Sequence, residues 1–330
     1  MGLLVEGQWR DQWYDTSKSG GSFQRQEAQF RNWVTEDGSA GPSGTGGFAA
    51  ASGRYHLYVS YACPWAHRTL IFRALKGLED HISVSVVHPD MLGEGWTFET
   101  DDHGATGDTL MGHAFMRDVY LSAQSDITTR VTVPVLWDTQ TQTIVSNESS
   151  EIIRMFNSAF DTLTGNTLDL WPAPMRDAIE EVNSWIYPKI NNGVYMAGFA
   201  TAQGPYDRAV TGLFEALDTL EARLEAQDWL MGDRVTEADI RLFTTLVRFD
   251  MVYHLHFKCN RKRIIDYPQI WDFTRALYQH PQIRETVNMN HIVRHYHYSH
   301  DTINPNRILP TNPVLEWDLP TRRTAVVAIQ

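Results

Sequence analysis

The pattern of apolar and polar positions divides the chain into three stretches of different character. Residues 1–54 show no apolar periodicity and include the flexible run Gly38-Ser39-Ala40-Gly41-Pro42-Ser43-Gly44-Thr45-Gly46-Gly47. They read as an irregular arm. Its glycines follow no strand, which excludes a dinucleotide-binding loop. Trp9, Trp13, Tyr14, Phe23, Phe30 and Trp33 suggest an arm pinned onto the body rather than free.

Order begins at Tyr55. Tyr55-His56-Leu57-Tyr58-Val59-Ser60 is an apolar run of strand length. Pro64 opens a helical stretch over 65–76 that Gly77 ends, with proline at the first position and glycine just past the last. Ile82-Ser83-Val84-Ser85-Val86-Val87 is β-rich and largely alternating, so strand, helix and strand predict a parallel pair. Residues 88–130 form a long insertion of weak periodicity, and loops of that length are functional or disordered. A hairpin follows, from Val131-Thr132-Val133-Pro134-Val135-Leu136-Trp137 to Thr143-Ile144-Val145. Pro134 cannot donate a ladder bond and belongs at an edge, a strand start or a turn. Ser146 and Asn147 offer caps for a helix over 148–157.

After Trp171-Pro172-Ala173-Pro174 the strand signals stop. Helical periodicity covers about 175–192, 206–226, 237–256, 268–279 and 288–297. Thr236-Glu237-Ala238-Asp239 is a capping-box variant, with Val235 and Ile240 placed as a hydrophobic staple. The tail from Asn304 is Pro-rich and irregular, and no internal repeat occurs. The expected organisation is an arm (1–54), an α/β unit (55–160) and an all-helical unit with an irregular tail (161–330). A length of 330 residues accommodates two such units.

Charge narrows the partners. Lys and Arg number 28 against 40 Asp and Glu, a net −12, which argues against nucleic acid and against an anionic membrane surface. No apolar run reaches the roughly 18–20 residues that span a bilayer. The start, Met1-Gly2-Leu3-Leu4-Val5-Glu6, lacks secretory-signal features and the myristoylation pattern, so a cytoplasmic protein is expected. Two cysteines, Cys63 and Cys259, make no disulfide framework; two thiols are expected.

Cys63 carries the chemistry. It stands at the cap between a strand and a helix, in Ser60-Tyr61-Ala62-Cys63-Pro64-Trp65-Ala66-His67-Arg68. Unpaired amides and the positive end of the helix favour thiolate over thiol there, so a lowered pKa is expected. A lone cysteine is more often buried and structural; the strand, Cys-Pro and helix context favours a reactive thiol. Ala66 occupies the second position of a C-x-x-C pair, so a small external thiol must complete any redox cycle. His254-Leu255-His256-Phe257-Lys258-Cys259 contains metal-ligand types without a spaced partner pair, and packing is the better reading. His291, His295, His297 and His300 read as a solvated helix face or a pocket wall. No metal site is expected.

These features together resemble the cytosolic glutathione transferases: an α/β thioredoxin-like N-terminal domain followed by an all-α C-terminal domain. Cys63-Pro64-Trp65-Ala66-His67-Arg68, Thr132-Val133-Pro134-Val135-Leu136-Trp137-Asp138, Ser146-Asn147-Glu148-Ser149 and Glu237-Ala238-Asp239-Ile240-Arg241-Leu242 resemble the glutathionyl-hydroquinone reductases, the xi class. The likeness extends through Asn191-Asn192-Gly193-Val194-Tyr195, Arg248-Phe249-Asp250 and Thr302-Ile303-Asn304-Pro305.

The resemblance implies a glutathione site in which Pro134 is cis and presents the backbone of Val133 to the cysteinyl part. Glu148 and Ser149 would bind the γ-glutamyl end, and Trp96 and Arg130 would complete the pocket. These types suit the ligand: Ser149 near a helix N-terminus suits a carboxylate, Glu148 an ammonium, and Arg130 offers a fork for an anion. A second subsite is implied in the helical half, with Tyr195, Tyr253 and Tyr296. Taken alone these tyrosines would be core packing. As phenols facing an aryl thioether, they could hold a developing oxyanion and deliver a proton to carbon. The implied activity is reduction of glutathionyl-hydroquinones through a Cys63–glutathione mixed disulfide, by a homodimer. Two alternatives stand beside it: an omega-like thiol transferase or dehydroascorbate reductase using the same Cys63, and a non-catalytic binding module.

Overall fold

The computed structural model describes residues 2–323; residues 324–330 of the expected tail lie outside it. The arm is not wholly irregular. β1 (Leu3–Val5) and β2 (Gln8–Arg10) form an antiparallel hairpin. Its turn holds Glu6 and Gly7 at φ +48° and +75°, the left-handed pair that a two-residue hairpin favours. Strands of three residues are too short for alternation to register, which is why the periodicity missed them.

β3 (Tyr55–Val59) is one of the two inner strands of a four-stranded sheet and is wholly buried. It leads through Cys63 into α1 (Pro64–Leu75) and pairs in parallel with β4 (Ile82–Val86), as strand–helix–strand predicts. Residues 88–130 are ordered and contain α2 (Met116–Ala123) and β5 (Thr129–Arg130), neither anticipated; β5 pairs with β1, so the arm extends a second small sheet. β6 (Val135–Asp138) runs antiparallel to β3 and begins just after Pro134, so the proline removes no ladder bond. β7 (Thr143–Ser146) closes the edge, giving the order β4-β3-β6-β7. α3 (Ser149–Ser158) packs on α1. Its cap is Glu148, one residue later than expected.

From residue 161 the described chain holds helices and no named strand: α4 (Asp161–Thr164), α5 (Arg176–Ile186), α6 (Gly193–Gly198), α7 (Gln203–Ala226), α8 (Glu237–Arg248), α9 (Pro268–Tyr278), α10 (Pro281–Arg284) and α11 (Met289–Ser299). The short α4, α6 and α10 carry too few turns for a periodic signal. α5 and α8 each run on into a π-helical turn, Tyr187–Asn191 and Phe249–Tyr253, a feature frequent at functional sites. α8 is buried on every side and starts in the expected capping box. Asp239 accepts from the Thr236 amide at 2.8 Å and hydroxyl at 2.9 Å, and from the Leu230 amide at 2.8 Å. Burial nevertheless pushes its carboxyl up to about 6.

The two halves share one core, with α1 packed against α8 and α10. The long insertion is fastened to α11. Arg294 donates to both carboxylate oxygens of Asp90 at 2.7 and 2.6 Å, and the Met91 amide donates to Ser299 Oγ at 2.9 Å. This clamp brings Trp96 against the last helix.

Candidate active site

Cys63 ends the loop after β3 in an extended conformation, and Pro64 fixes the first helical residue behind it. The side chain is partly exposed and donates from Sγ to the Val133 carbonyl at 3.5 Å. The Val133–Pro134 bond is cis. Arg248, fully buried at the end of α8, clamps the loop from behind. It donates to the carbonyls of Ala62 at 2.9 Å and Tyr61 at 3.0 Å, and to His67 Nδ1 at 3.0 Å. Burial holds His67 well below the usual imidazole range, so the ring is neutral and Nδ1 is free to accept.

The expected lowering of the thiol is not what the surroundings give. Burial pushes Cys63 up, while the Ala66 and Trp65 amides, Arg248 and Arg25 pull it down. The helix end acts in the expected direction; desolvation among aromatic side chains outweighs it. Cys259 is a buried free thiol, pushed up further by desolvation.

Two concavities meet beside Cys63. The wider, about 1960 Å³, is polar and is lined by Arg68, Arg130, Val133, Glu148 and Ser149. Glu148 serves α3 as well: its Oε1 accepts from the Ser150 amide at 2.9 Å and hydroxyl at 2.8 Å. Arg68 reaches Ser149 Oγ at 3.5 Å. Arg130 donates to the carbonyls of Gln12 and Trp13 and lies over the Tyr14 ring, 4.4 Å from its centroid. Its fork therefore anchors the arm at the edge of the cleft.

The smaller pocket, about 540 Å³, is walled by aromatic side chains: Trp13 and Phe23 from the arm, Trp65 from α1, Tyr195 and Phe199, and Tyr296 from α11. Tyr195, Tyr253 and Tyr296 converge from α6, the second π turn and α11. The Tyr195 and Tyr296 hydroxyls are hydrogen-bonded, and Tyr253 Oη lies 3.1 Å from Tyr296 Oη. Tyr195 and Tyr296 face the pocket with Cys63, and Tyr253 stands behind them. Burial raises all three phenols above their ordinary value, so they remain proton donors. Trp96 lines this pocket rather than the polar cleft. Its ring stacks on His295 at 4.7 Å, and its buried Nε1 has no hydrogen-bond partner among the described residues.

Sequence reasoning missed Arg25 as a pocket residue; of the two alternatives for the histidines, a pocket wall is what His295 and His300 form. No signal marked Arg25; the arm's aromatics indicated only that the arm is pinned. The histidines form a buried wall, not a solvated face: His256 Nε2 lies 3.2 Å from His300 Nδ1, and His297 packs on His256. Burial holds His295 near about 4 and His256 near about 3, so both are neutral. His254-to-Cys259 is packing, with His256 and Cys259 buried apart from any ligand set. One other cluster, His88, Asp101 and His103, sits in the long insertion. His88 Nδ1 accepts from the Asp90 amide at 3.0 Å, so Nε2 carries the proton that it shares with Asp101 at 3.0 Å.

Comparison with known proteins agrees with this geometry. Residues 62–159 match the glutathione S-transferase N-terminal domain family, and 203–276 its C-terminal domain family. The chain is 57% identical over 323 residues to glutathionyl-hydroquinone reductase YqjG of Escherichia coli, covering 98% of each. It is 49% identical over 313 residues to glutathionyl-hydroquinone reductase PcpF of Sphingobium chlorophenolicum, covering 95% of this chain and 96% of that one. The glutathione-bound structure of YqjG superposes with a TM-score of 0.91, over 98% of this chain and 99% of that one, at 54% identity. A xi class enzyme from Natrialba magadii gives a TM-score of 0.91 at 50% identity, over 97% and 96% of the two chains.

Proposed function

We infer the reaction from kinship and site together: the chain belongs to the glutathione transferases, in their xi-class, glutathionyl-hydroquinone reductase branch. It is an enzyme that uses glutathione to reduce glutathionyl-hydroquinones to hydroquinones. The observation that carries the mechanism is the position of Cys63. It lies in the aromatic pocket, bonded to Val133, which lines the polar cleft as well, and it shares the pocket with two phenols of a hydrogen-bonded tyrosine chain.

The glutathionyl part lies in the polar cleft, where the Val133 backbone meets its cysteinyl unit and Glu148 and Ser149 meet its γ-glutamyl end. Arg130 borders the cleft through the arm it anchors, and Trp96 completes the glutathione pocket from the aromatic side with its unpaired N–H. The ring enters the aromatic pocket. Expelling an aryl carbanion is too costly, so the ring first takes the ketone form: a tyrosine passes its proton to the sulfur-bearing carbon and takes back the proton that the ring hydroxyl gives up along the tyrosine chain. The Cys63 thiolate then attacks the substrate sulfur. The carbon–sulfur pair returns to the ring and the former ketone oxygen becomes a phenolate, which the tyrosine hydroxyls hold and reprotonate. Cys63 is left as a mixed disulfide. A second glutathione, as thiolate, displaces it and leaves as oxidised glutathione, in two separate displacements.

The same reading places the protein in the cytoplasm as a homodimer joined through the helical half. It divides the chain into the arm (1–54), the glutathione-binding unit (55–160) and the substrate-binding unit (161–330). Turnover of a glutathionylated hydroquinone by the wild type and by Cys63→Ala tests the assignment. The wild type should release free hydroquinone and oxidised glutathione, and the variant neither. Undiminished turnover by Cys63→Ala would remove the thiol from the mechanism.

A further inference from the structure

Arg25 is the one charged side chain on the wall of the aromatic pocket among the described residues, and it lines the polar cleft too. It comes from the arm and is held in place from two directions. Its Nε donates to Asn192 Oδ1 at 3.1 Å, beside the first π turn. Its guanidinium carbon lies 5.0 Å from the Trp65 ring centroid and 4.9 Å from that of Tyr195. Nη2 is buried and has no hydrogen-bond partner among the described residues.

A buried charged donor left unsatisfied is costly, and in a native structure it calls for an explanation. Packing does not supply one. An aliphatic side chain would fill the space between Trp65 and Tyr195 without that cost, in a chain that otherwise carries 12 excess negative charges. The hydroquinone oxygens do not supply it either, because the tyrosine chain already offers them donors. What remains is a carboxylate on the ligand. The guanidinium lies between Trp65 and Tyr195 of the aromatic wall, which points to one carried on the ring rather than on the glutathionyl part. Guanidinium pairs with a carboxylate in a planar, charge-assisted contact that a neutral substituent cannot match.

We propose that Arg25 sets the charge preference of the aromatic pocket, selecting glutathionyl-hydroquinones whose ring bears a carboxylate. The proposal rests on the reading of this pocket as the ring site. The test compares two substrates with the same glutathionyl group, one with a ring carboxylate and one with the matching carboxamide, so that contacts to glutathione cancel in the ratio of their kcat/KM. The wild type should favour the carboxylate by about 10- to 100-fold, the range for one charge-assisted bond. Arg25→Gln should bring the ratio close to one, and Arg25→Lys should keep part of it. A second measurement needs no variant: the free hydroquinone carboxylate should inhibit the wild type more tightly than its carboxamide. A wild-type ratio near one, or a ratio that survives Arg25→Gln, would overturn the proposal. Equal losses on both substrates would overturn it too, assigning Arg25 to the glutathionyl part. A wild type inactive on the carboxamide conjugate as well as the carboxylate would sink the reductase reading itself, a different outcome.

Discussion

The polar cleft and the aromatic pocket share Val133 and flank the same thiol, yet the chain builds them by different means. The cleft's Val133, Glu148, Ser149 and Arg68 come from elements with strong local signals, the cis-Pro134 turn before β6, the cap of α3 and the first turns of α1, while the arm, Arg130, Tyr187 and Arg241 close its rim. The pocket is assembled from the arm, α1, Trp96 of the long insertion, the turn before Pro134, α6 and the end of α11, residues more than 270 positions apart in sequence. One site offers a ligand charges and hydrogen bonds, the other ring faces and phenols. The difference teaches that recognition of the peptide is written into secondary structure, whereas recognition of the ring depends on how distant segments pack.

The largest effect should erase the distinction between the two. Cys63→Ser puts an alcohol of far higher pKa where a thiolate must attack, so turnover should vanish for aryl thioethers and for small glutathione mixed disulfides alike. Mass spectrometry after exposure to oxidised glutathione should find a single glutathione, on Cys63. Cys259 is buried and its thiol is pushed well up, so modification there with Cys63 untouched would undo the assignment. Burial also raises Cys63 above its ordinary value near 9, so less thiolate is present at neutral pH than in a free thiol. Alkylation by a small neutral reagent should therefore still be rising above pH 9, and a plateau below pH 7 would show that the helix end wins after all.

Next in size, the tyrosines should separate the two sites. Tyr195→Phe, Tyr253→Phe and Tyr296→Phe keep nearly all apolar area and remove one hydroxyl each. General acid–base help is worth about 10²- to 10⁴-fold. Three hydroxyls in one chain should each give less than that, and the losses should not add. The aryl thioether should suffer, because its leaving group is an oxyanion. A small mixed disulfide, whose leaving group is a thiolate, should be nearly indifferent. Equal losses on both, or none on either, would return the tyrosines to packing.

How much of this the sequence disclosed follows the same line. The sheet, α1, α8 with its capping box, and Cys63 were legible, because each rests on local pattern. The β1–β2 hairpin was not, since three-residue strands leave no alternation, and α2 was lost in a stretch of weak periodicity. Within the site, Glu148, Ser149, Val133 and the three tyrosines came through resemblance rather than through pattern. Arg25 carried no signal, and the histidines left a solvated face and a pocket wall both open, because their meaning lies in contacts across the fold: Arg25 reaches Asn192, and His295 reaches the Pro89 carbonyl at 2.8 Å. The thiol's direction was misjudged for the same reason. A helix N-terminus can be read from sequence, but the aromatic side chains that desolvate it cannot.

A smaller effect sharpens the polar side. Glu148→Ala removes a carboxylate that caps α3 and that, on the proposed reading, meets the ligand's ammonium. Loss of a charge-assisted bond should raise KM by about 10- to 100-fold, for any substrate carrying the glutathionyl group. Lost capping should lower the melting temperature as well. A lower melting temperature with KM unchanged would leave Glu148 as a helix cap only.

The smallest effect is the most discriminating, because Trp96 stands where the two sites meet. It lines the aromatic pocket, but its orphaned Nε1–H is a donor that a peptide carboxylate or carbonyl would take. Trp96→Phe removes that donor and keeps a ring to stack on His295. One neutral hydrogen bond is worth about 0.5–1.5 kcal/mol, so the loss in kcat/KM should be only about 2- to 10-fold. What matters is how the loss divides between substrates. On the proposed mechanism the tyrosines serve the ring oxygens, so the indole N–H is expected to serve the glutathionyl part. The loss should then be equal for an aryl thioether and for a small glutathione mixed disulfide, since both carry that part. It should appear in KM rather than in kcat, because a contact made alike in ground and transition states is uniform binding. A loss confined to the aryl thioether would instead give Trp96 to the ring. It would also leave the glutathione site to Arg130, Val133, Glu148 and Ser149 alone.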